Sequence, residues 1–380
     1  MKKIYQDLVC LRINLLIYLL TILVVYGCGG SNNRQNVGVS DNISTDSFIP
    51  EGLSMRWNNL FAFTSDSIGY AATNDLRSDK YIISRTTDRG RTWEQQYSAR
   101  GKCLVLKSYE DKVYYSSEYC EEGSDVKSEI GFIDNGRNKN ILSNIKGRVY
   151  SINVFNDSTV IYAHDVSFQK EYRGVDEISD SIYLSTDAGK TWKSLYADLK
   201  KVKVHGYDSS GVYMTGYFED PSKWFLVVSD VNTGSRRIYD TGYVYKAFVD
   251  DGLLMKNAQF YKCNDNVKRI SDYFWNGYGL MKYGQYNPRY FAKSGEIAFA
   301  YASQFPGKEH RTECIFYSTD SGHNWEALSI GDGLIRDGLI QSSVAKMPVE
   351  AGLSVIYQDY SDSLRIINIC PEIKTQNLDL

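Results

Sequence analysis

The chain has 380 residues, 43% of them apolar and 23% charged, with a formal net charge of −3. That length accommodates one large domain, and the charge balance supplies neither a basic field nor a Lys/Arg run for nucleic acid, so no nucleic-acid partner is expected. Tyr is abundant, with 31 residues, and His is scarce, with four. Tyr favours strands and also binding surfaces.

In chain order, Lys2, Lys3 and Arg12 precede residues 13–26, which are apolar apart from Asn14 and Thr21. The run suits a signal-peptide core and is short for spanning a bilayer. It ends in Val25-Tyr26-Gly27-Cys28, which resembles a bacterial lipobox with Cys28 as the lipid-bearing first mature residue. Tyr26 departs from that pattern, and an ordinary signal peptide or short anchor is the alternative. Gly29, with no Asp after the Cys, resembles lipoproteins sent to the outer membrane. The expected organisation is a signal peptide over 1–27, a flexible tether over 28–54 and a globular domain over 55–380. The tether reading rests on the Gly, Ser, Asn and Asp content up to Pro50, which cannot bury a core. The implied location is the cell envelope, at the periplasmic face of the outer membrane, with the membrane a partner through the lipid.

Three octets then share one pattern: Thr86-Thr87-Asp88-Arg89-Gly90-Arg91-Thr92-Trp93, Ser185-Thr186-Asp187-Ala188-Gly189-Lys190-Thr191-Trp192 and Ser318-Thr319-Asp320-Ser321-Gly322-His323-Asn324-Trp325. Each follows a strand-like apolar run. The hydroxyl and the Asp can turn back onto backbone N–H groups, the Gly supplies a left-handed position, and the Trp opens the next strand. These octets resemble the Asp-box, or BNR repeat, of sialidases and of many non-enzymatic β-propellers. The resemblance implies a fold and not a chemistry, because in such families the box lies away from any active site. The residues expected to be structural are Thr86, Asp88, Gly90, Trp93, Ser185, Asp187, Gly189, Trp192, Ser318, Asp320, Gly322 and Trp325.

A second set of polar turns recurs near Asp66, Asp111, Asp157, Ser209, Asp251, Ser294 and Glu350. Each is followed by a full octet or by an eroded one, such as Asp134-Asn135-Gly136. Trp93, Trp192 and Trp325 mark the first, third and sixth of these units. A unit with two hairpin turns is a four-stranded blade, and radial repetition makes a β-propeller. The expected fold is all-β, a propeller of seven four-stranded blades with six or eight as alternatives, residues 56–63 completing the last blade.

Cys103 and Cys120 flank a hairpin turning at Asp111-Lys112, so they would lie opposite each other and form a disulfide in an oxidising periplasm, or remain two buried thiols. No CxxC or HExxH pattern, phosphate loop or G-x-S-x-G elbow occurs, so no metal or cofactor is expected. His164, His205, His310 and His323 are scattered, and Glu118, Glu121, Glu122 and Asp125 read as a solvated hairpin end.

The sialidase resemblance would require three arginines, a Tyr–Glu pair and an Asp acid/base. The Arg-Ile-Pro motif of that family is missing, and nothing local selects three from arginines such as Arg85, Arg148, Arg289 and Arg311. No catalytic residues are assigned. The expectation is a non-catalytic protein-binding module with a protein partner, an inhibitor or immunity protein for a secreted toxin being one form of it; a sialidase-like glycoside hydrolase is the alternative. The aromatic stretch 272–290, with Trp275, Tyr278, Tyr283, Tyr286 and Tyr290, is either a binding face or a capping connection.

Overall fold

The computed structural model describes residues 43–54, 59–75, 77–120, 125–157, 159–165, 180–195, 199–208, 211–220, 222–231, 233–240, 247–250, 253–256, 259–263, 267–271, 286–304, 312–328, 344–350, 352–358 and 363–370. Strand β1 (Ile43–Phe48) comes first. Sheet 1 holds β2 (Leu60–Phe63), β3 (Gly69–Asp75), β4 (Lys80–Thr86) and β5 (Glu94–Arg100). Sheet 2 holds β6 (Lys102–Tyr109), β7 (Lys112–Tyr119), β8 (Lys127–Asp134) and β9 (Arg137–Lys146). Sheet 3 holds β10 (Arg148–Val154), β11 (Val160–Asp165), β12 (Asp180–Ser185) and β13 (Lys193–Leu195). Sheet 4 holds β14 (Lys200–Asp208), β15 (Gly211–Tyr217), β16 (Phe225–Ser229) and β17 (Arg236–Asp240). Sheet 5 holds β18 (Ala247–Asp250), β19 (Leu253–Lys256), β20 (Gln259–Cys263) and β21 (Val267–Ser271). Sheet 6 holds β22 (Tyr286–Ser294), β23 (Ile297–Gln304), β24 (Thr312–Ser318) and β25 (Glu326–Leu328). Sheet 7 joins β26 (Ala345–Met347), β27 (Leu353–Gln358) and β28 (Leu364–Ile369) to β1.

Sheets 1 to 6 are antiparallel meanders, sheet 7 adds β1 antiparallel to the edge of a three-stranded meander, and successive sheets pack face to face as in a β-propeller. Burial along each strand explains the sequence pattern. Second strands are covered on both faces, so β7, β15 and β27 are buried almost throughout, with polar residues such as Ser116, Thr215 and Gln358 among their apolar ones. Outer strands have an exposed edge, and β5 and β9 are correspondingly polar. Tyr70, Tyr81, Tyr115, Tyr213 and Tyr357 are all fully buried, so part of the tyrosine excess is core.

Among the described residues, apolar clusters fill five interfaces between sheets. Phe299, Ile315, Val355 and Ile367 join sheets 6 and 7, and Phe63, Trp93, Ile356 and Leu364 join sheets 7 and 1. Ile83, Val113 and Tyr115 join sheets 1 and 2, Ile130, Val149 and Tyr162 join sheets 2 and 3, and Ile182, Val212 and Met214 join sheets 3 and 4. At about 25 cal/mol per Å² of apolar surface, these interfaces are the main source of cohesion.

Two expectations change here. Residues 43–48, expected within the tether, are the outer strand of sheet 7, paired with β28 from Ile43↔Ile369 to Phe48↔Leu364. An outer blade strand needs apolar side chains on one face only, so Ile-Ser-Thr-Asp-Ser-Phe has the composition of a linker and the structure of an edge. Residues 60–63, expected to complete the last sheet, are instead the innermost strand of sheet 1. The expected signal segment and Cys28 lie outside the described residues, and no helix among the described residues is long and apolar enough to cross a membrane.

Candidate functional site

The three octets occupy the turns between the third and fourth strands of sheets 1, 3 and 6. Their hydrogen bonds repeat almost atom for atom. The Ser or Thr hydroxyl donates to Oδ1 of the Asp at 2.8 Å in all three. It also accepts the Gly N–H at 2.9, 2.8 and 2.9 Å. The Asp accepts the N–H of Thr92, Thr191 or Asn324 on Oδ1, and the side-chain donor of the same residue on Oδ2 at 2.6 Å. The Trp Nε1 donates to the Gly carbonyl at 2.7, 3.0 and 2.9 Å.

Two consecutive left-handed residues make the loop tight: Arg89 and Gly90, Ala188 and Gly189, Ser321 and Gly322. A Cβ on Gly189 would lie 2.0 Å from Ile141 Cγ2, so sheet 2 presses on the box of sheet 3. The seventh position is absent from the sequence pattern above, yet it supplies two of the three bonds described for each carboxylate. Its signal is the short donor side chain in all three copies, Thr92, Thr191 and Asn324.

These bonds set the carboxyl chemistry. Hydrogen bonds from Thr191, first through its hydroxyl, then its N–H, and from Ser185 bring Asp187 down to about 2. Burial pushes Asp88 and Asp320 up, but the bonds from Thr92 and Thr86, and from Asn324 and Ser318, outweigh it and both stay below the ordinary range. Carboxylates so held are acceptors of fixed hydrogen bonds, with no proton to give near neutrality.

The opposite end of each blade carries the crossovers from an outer strand to the next innermost strand. Gly101 and Gly147 make them with φ of 97° and 93°. Asn74 clamps the first crossover from both sides, donating to Cys103 O at 3.0 Å and accepting Cys103 N–H at 2.7 Å. At the second, Ser116 donates to Val149 O and Ser128 accepts Val149 N–H. Arg148 adds a two-pronged ion pair there, Nε to Glu118 Oε2 at 2.6 Å and Nη2 to Oε1 at 3.2 Å. Between sheets 7 and 1, buried Asn59 donates to buried Gln358 at 3.1 Å.

Between sheets 1 and 2, the Tyr81 hydroxyl meets Ser117 Oγ and Glu129 Oε1, each at 3.3 Å, and Tyr115 donates to Asn138 at 2.8 Å. Tyr317 donates to its cross-strand neighbour Glu326. These are Tyr–Glu pairs of the kind a retaining sialidase would need. Desolvation pushes the Tyr81 phenol far up, however, which works against a phenolate nucleophile. Among the arginines considered, Arg148 is committed to Glu118, while the side chains of Arg289 and Arg311 lie outside the described residues.

Cys103 and Cys120 are not joined by a disulfide. A bulge between Cys103 and Val105 sets Cys103 opposite Ser117, and its buried thiol donates to Val105 O. Burial pushes that thiol well up, which makes it unreactive. Cys120 is exposed beyond the ladder.

Tyr290, expected at a binding face or in a capping connection, is half-buried against the core between sheets 6 and 7, edge-on to Phe299 at 6.3 Å. Trp275, Tyr278, Tyr283 and the side chain of Tyr286 lie outside the described residues, as do Glu121, Glu122, His310 and the side chains of His164 and His205. Glu118 is held by Arg148, Asp125 is exposed, and His323 is an exposed turn residue. Among the described residues no group of three His, Cys, Asp or Glu could hold a metal ion.

The turns, meander sheets and face-to-face packing define an Asp-box, or BNR-repeat, β-propeller. The BNR/Asp-box repeat family matches residues 183–194, the second octet and its flanks. No curated protein matches the chain. Solved structures with a similar fold include YCF48 bound to D1 peptide, with a TM-score of 0.52 at 10% identity over 86% of this chain and 97% of that one. An uncharacterized protein from Listeria monocytogenes EGD-e is similar at a TM-score of 0.53 and 8% identity, over 83% and 93%. The β-propeller domain of the trilobed protease from Pyrococcus furiosus has a TM-score of 0.47 at 10% identity, over 80% and 90%.

Proposed function

We propose that this protein is a non-catalytic, protein-binding propeller of seven blades, held at the periplasmic face of a bacterial outer membrane by a lipid on Cys28. The observation that carries the binding reading is that all three Asp-box carboxylates are taken up by their own turns. The most regular polar motif of the chain is thereby spent on the scaffold, and loops are left to vary. The seven four-stranded sheets support the blade number. The similar fold of YCF48 has been solved with a bound D1 peptide, which gives this architecture a peptide-binding precedent. Residues 29–42 then act as the tether. The partner is another envelope protein or a secreted toxin, in which case the protein acts as its inhibitor or immunity factor.

Two experiments test the reading. Full-length protein used as bait on periplasmic and secreted fractions is expected to retain one partner at stoichiometric level, while a fluorogenic sialoside is expected to show no turnover above background. Sustained turnover, abolished by replacing an arginine, would instead establish the glycosidase alternative. Cys28→Ala is expected to release the protein from the membrane fraction; retention unchanged would remove the lipid anchor from the account.

A further inference from the structure

The first Asp-box differs from the other two at its fourth and sixth positions, which the turn itself leaves free. These are Arg89 and Arg91, where the second box has Ala188 and Lys190 and the third has Ser321 and His323. Both arginines reach the segment that closes sheet 7. Arg91 Nη2 donates to Asp46 Oδ2 at 2.6 Å, and its guanidinium lies 4.8 Å from the centre of the Phe48 ring. Arg89 Nη2 donates to Asn368 Oδ1 at 3.1 Å, and Asn368 Nδ2 donates to Ser44 Oγ at 3.2 Å. One guanidinium therefore holds β1 directly, and the other holds it through β28.

The chain continues from β1 back to the same box. Glu51 N–H donates to Arg91 O at 2.8 Å and Trp93 N–H donates to Glu51 O at 2.9 Å, a parallel bridge centred on Thr92. Gly52 follows with φ of 77°, and a Cβ there would sit 2.2 Å from Trp93 O. Leu53 then enters the cluster of Trp93, Phe61, Met347 and Leu364 that joins sheets 7 and 1.

We infer that residues 43–54 are a strap closing the propeller between sheets 7 and 1, and that the first Asp-box is its buckle, with Arg89 and Arg91 as positioning residues. Sheet 7 is completed by an outer strand distant in sequence from its other three, so its closure depends on non-covalent contacts. Every side-chain contact of the two arginines described above falls on β1, or on β28 beneath it. The strap also follows directly on the residues that lead to the amino terminus, so displacing it opens the ring at one defined seam and leaves the other interfaces intact.

Hydrogen exchange on the full chain tests this. In the Arg89→Ala/Arg91→Ala double variant, amides of residues 43–54 and of β28 are expected to exchange about ten-fold faster, with sheets 2 to 4 unchanged. Lys190→Ala and His323→Ala, at the equivalent positions of the other boxes, are expected to leave the strap at its wild-type rate. Unchanged strap protection in the double variant, or an equal loss across sheets 2 to 4, would overturn the inference. Should the double variant not fold, Asp46→Ala provides the same readout from the strap side. The charge swap Asp46→Arg/Arg91→Asp is expected to restore part of the protection lost in Asp46→Ala, and no restoration would remove the ion pair from the buckle.

Discussion

The two ends of the blades solve one problem in different ways. At the box end, three turns use the same hydroxyl, carboxylate, glycine and tryptophan with hydrogen bonds matching to within about 0.3 Å. At the crossover end, the chain is clamped by an amide at Asn74, by two hydroxyls at Ser116 and Ser128, and by the Glu118–Arg148 ion pair. The bonds that shape the box turn all lie within eight residues, so the turn can be copied whole. A crossover must match whatever the neighbouring sheet offers, and each one finds its own solution. The box end is the uniform part of the scaffold, and the crossover end is where chemistry varies from blade to blade.

The comparison can be broken most severely at the crossover. A Cβ on Gly101 would lie 2.0 Å from the Glu118 carbonyl oxygen, in a left-handed backbone position. Neither backbone segment can yield as a side chain does, so Gly101→Ala is expected to cost about 3 kcal/mol or more in urea unfolding. In contrast, Gly295→Ala, with a positive φ and open space around it, is expected to cost about 1 kcal/mol.

The next effect lies at the box end. Ser185 is buried, and its hydroxyl holds Asp187 and the Gly189 N–H together. Ser185→Ala leaves that N–H unsatisfied and is expected to cost about 2 kcal/mol, with Ser318→Ala matching it because the geometry is the same. Unequal losses would show that the boxes are not equivalent. A smaller loss is expected for Glu118→Gln, about 1 kcal/mol in the same assay, since the amide keeps one hydrogen bond to Arg148 and forfeits the charge.

The last effect concerns acid. Asp187 has a folded pKa of about 2, below its ordinary value, so it binds its proton less readily when folded. Its stabilisation is complete above the unfolded pKa, near 4, and is lost as pH falls towards 2. Asp187→Asn is therefore expected to be less stable than the wild type at pH 7 and to converge with it near pH 2. A constant gap across that range would mean the charge contributes nothing.

The same contrast explains what could be read from the residues. The boxes were legible because the bonds that shape each turn fall within one octet. The crossover clamps were not, because Asn74 and Cys103 are 29 residues apart, Glu118 and Arg148 are 30 apart, and Asn59 and Gln358 are 299 apart. The strand at 43–48 was hidden because an outer strand tolerates polar residues as a tether does. The opposition of Cys103 and Cys120 failed first at the turn, which centres on Glu110-Asp111 with Tyr109 opposite Lys112, and the bulge at Cys103/Val105 then shifts Cys103 one residue further, to Ser117. For Tyr290 the residues left a binding face and a capping connection open, and only the packing of sheet 6 on sheet 7 sets it half-buried against the core.

The central claim is that the Asp-box carboxylates serve the fold by accepting fixed hydrogen bonds. Its most direct test is the titration of the Asp187 side-chain carboxyl, followed by NMR on selectively labelled protein. A midpoint near 2 is expected. A midpoint at or above the ordinary aspartate value, about 3.9, would mean that the carboxylate is not held as described and is available for another role.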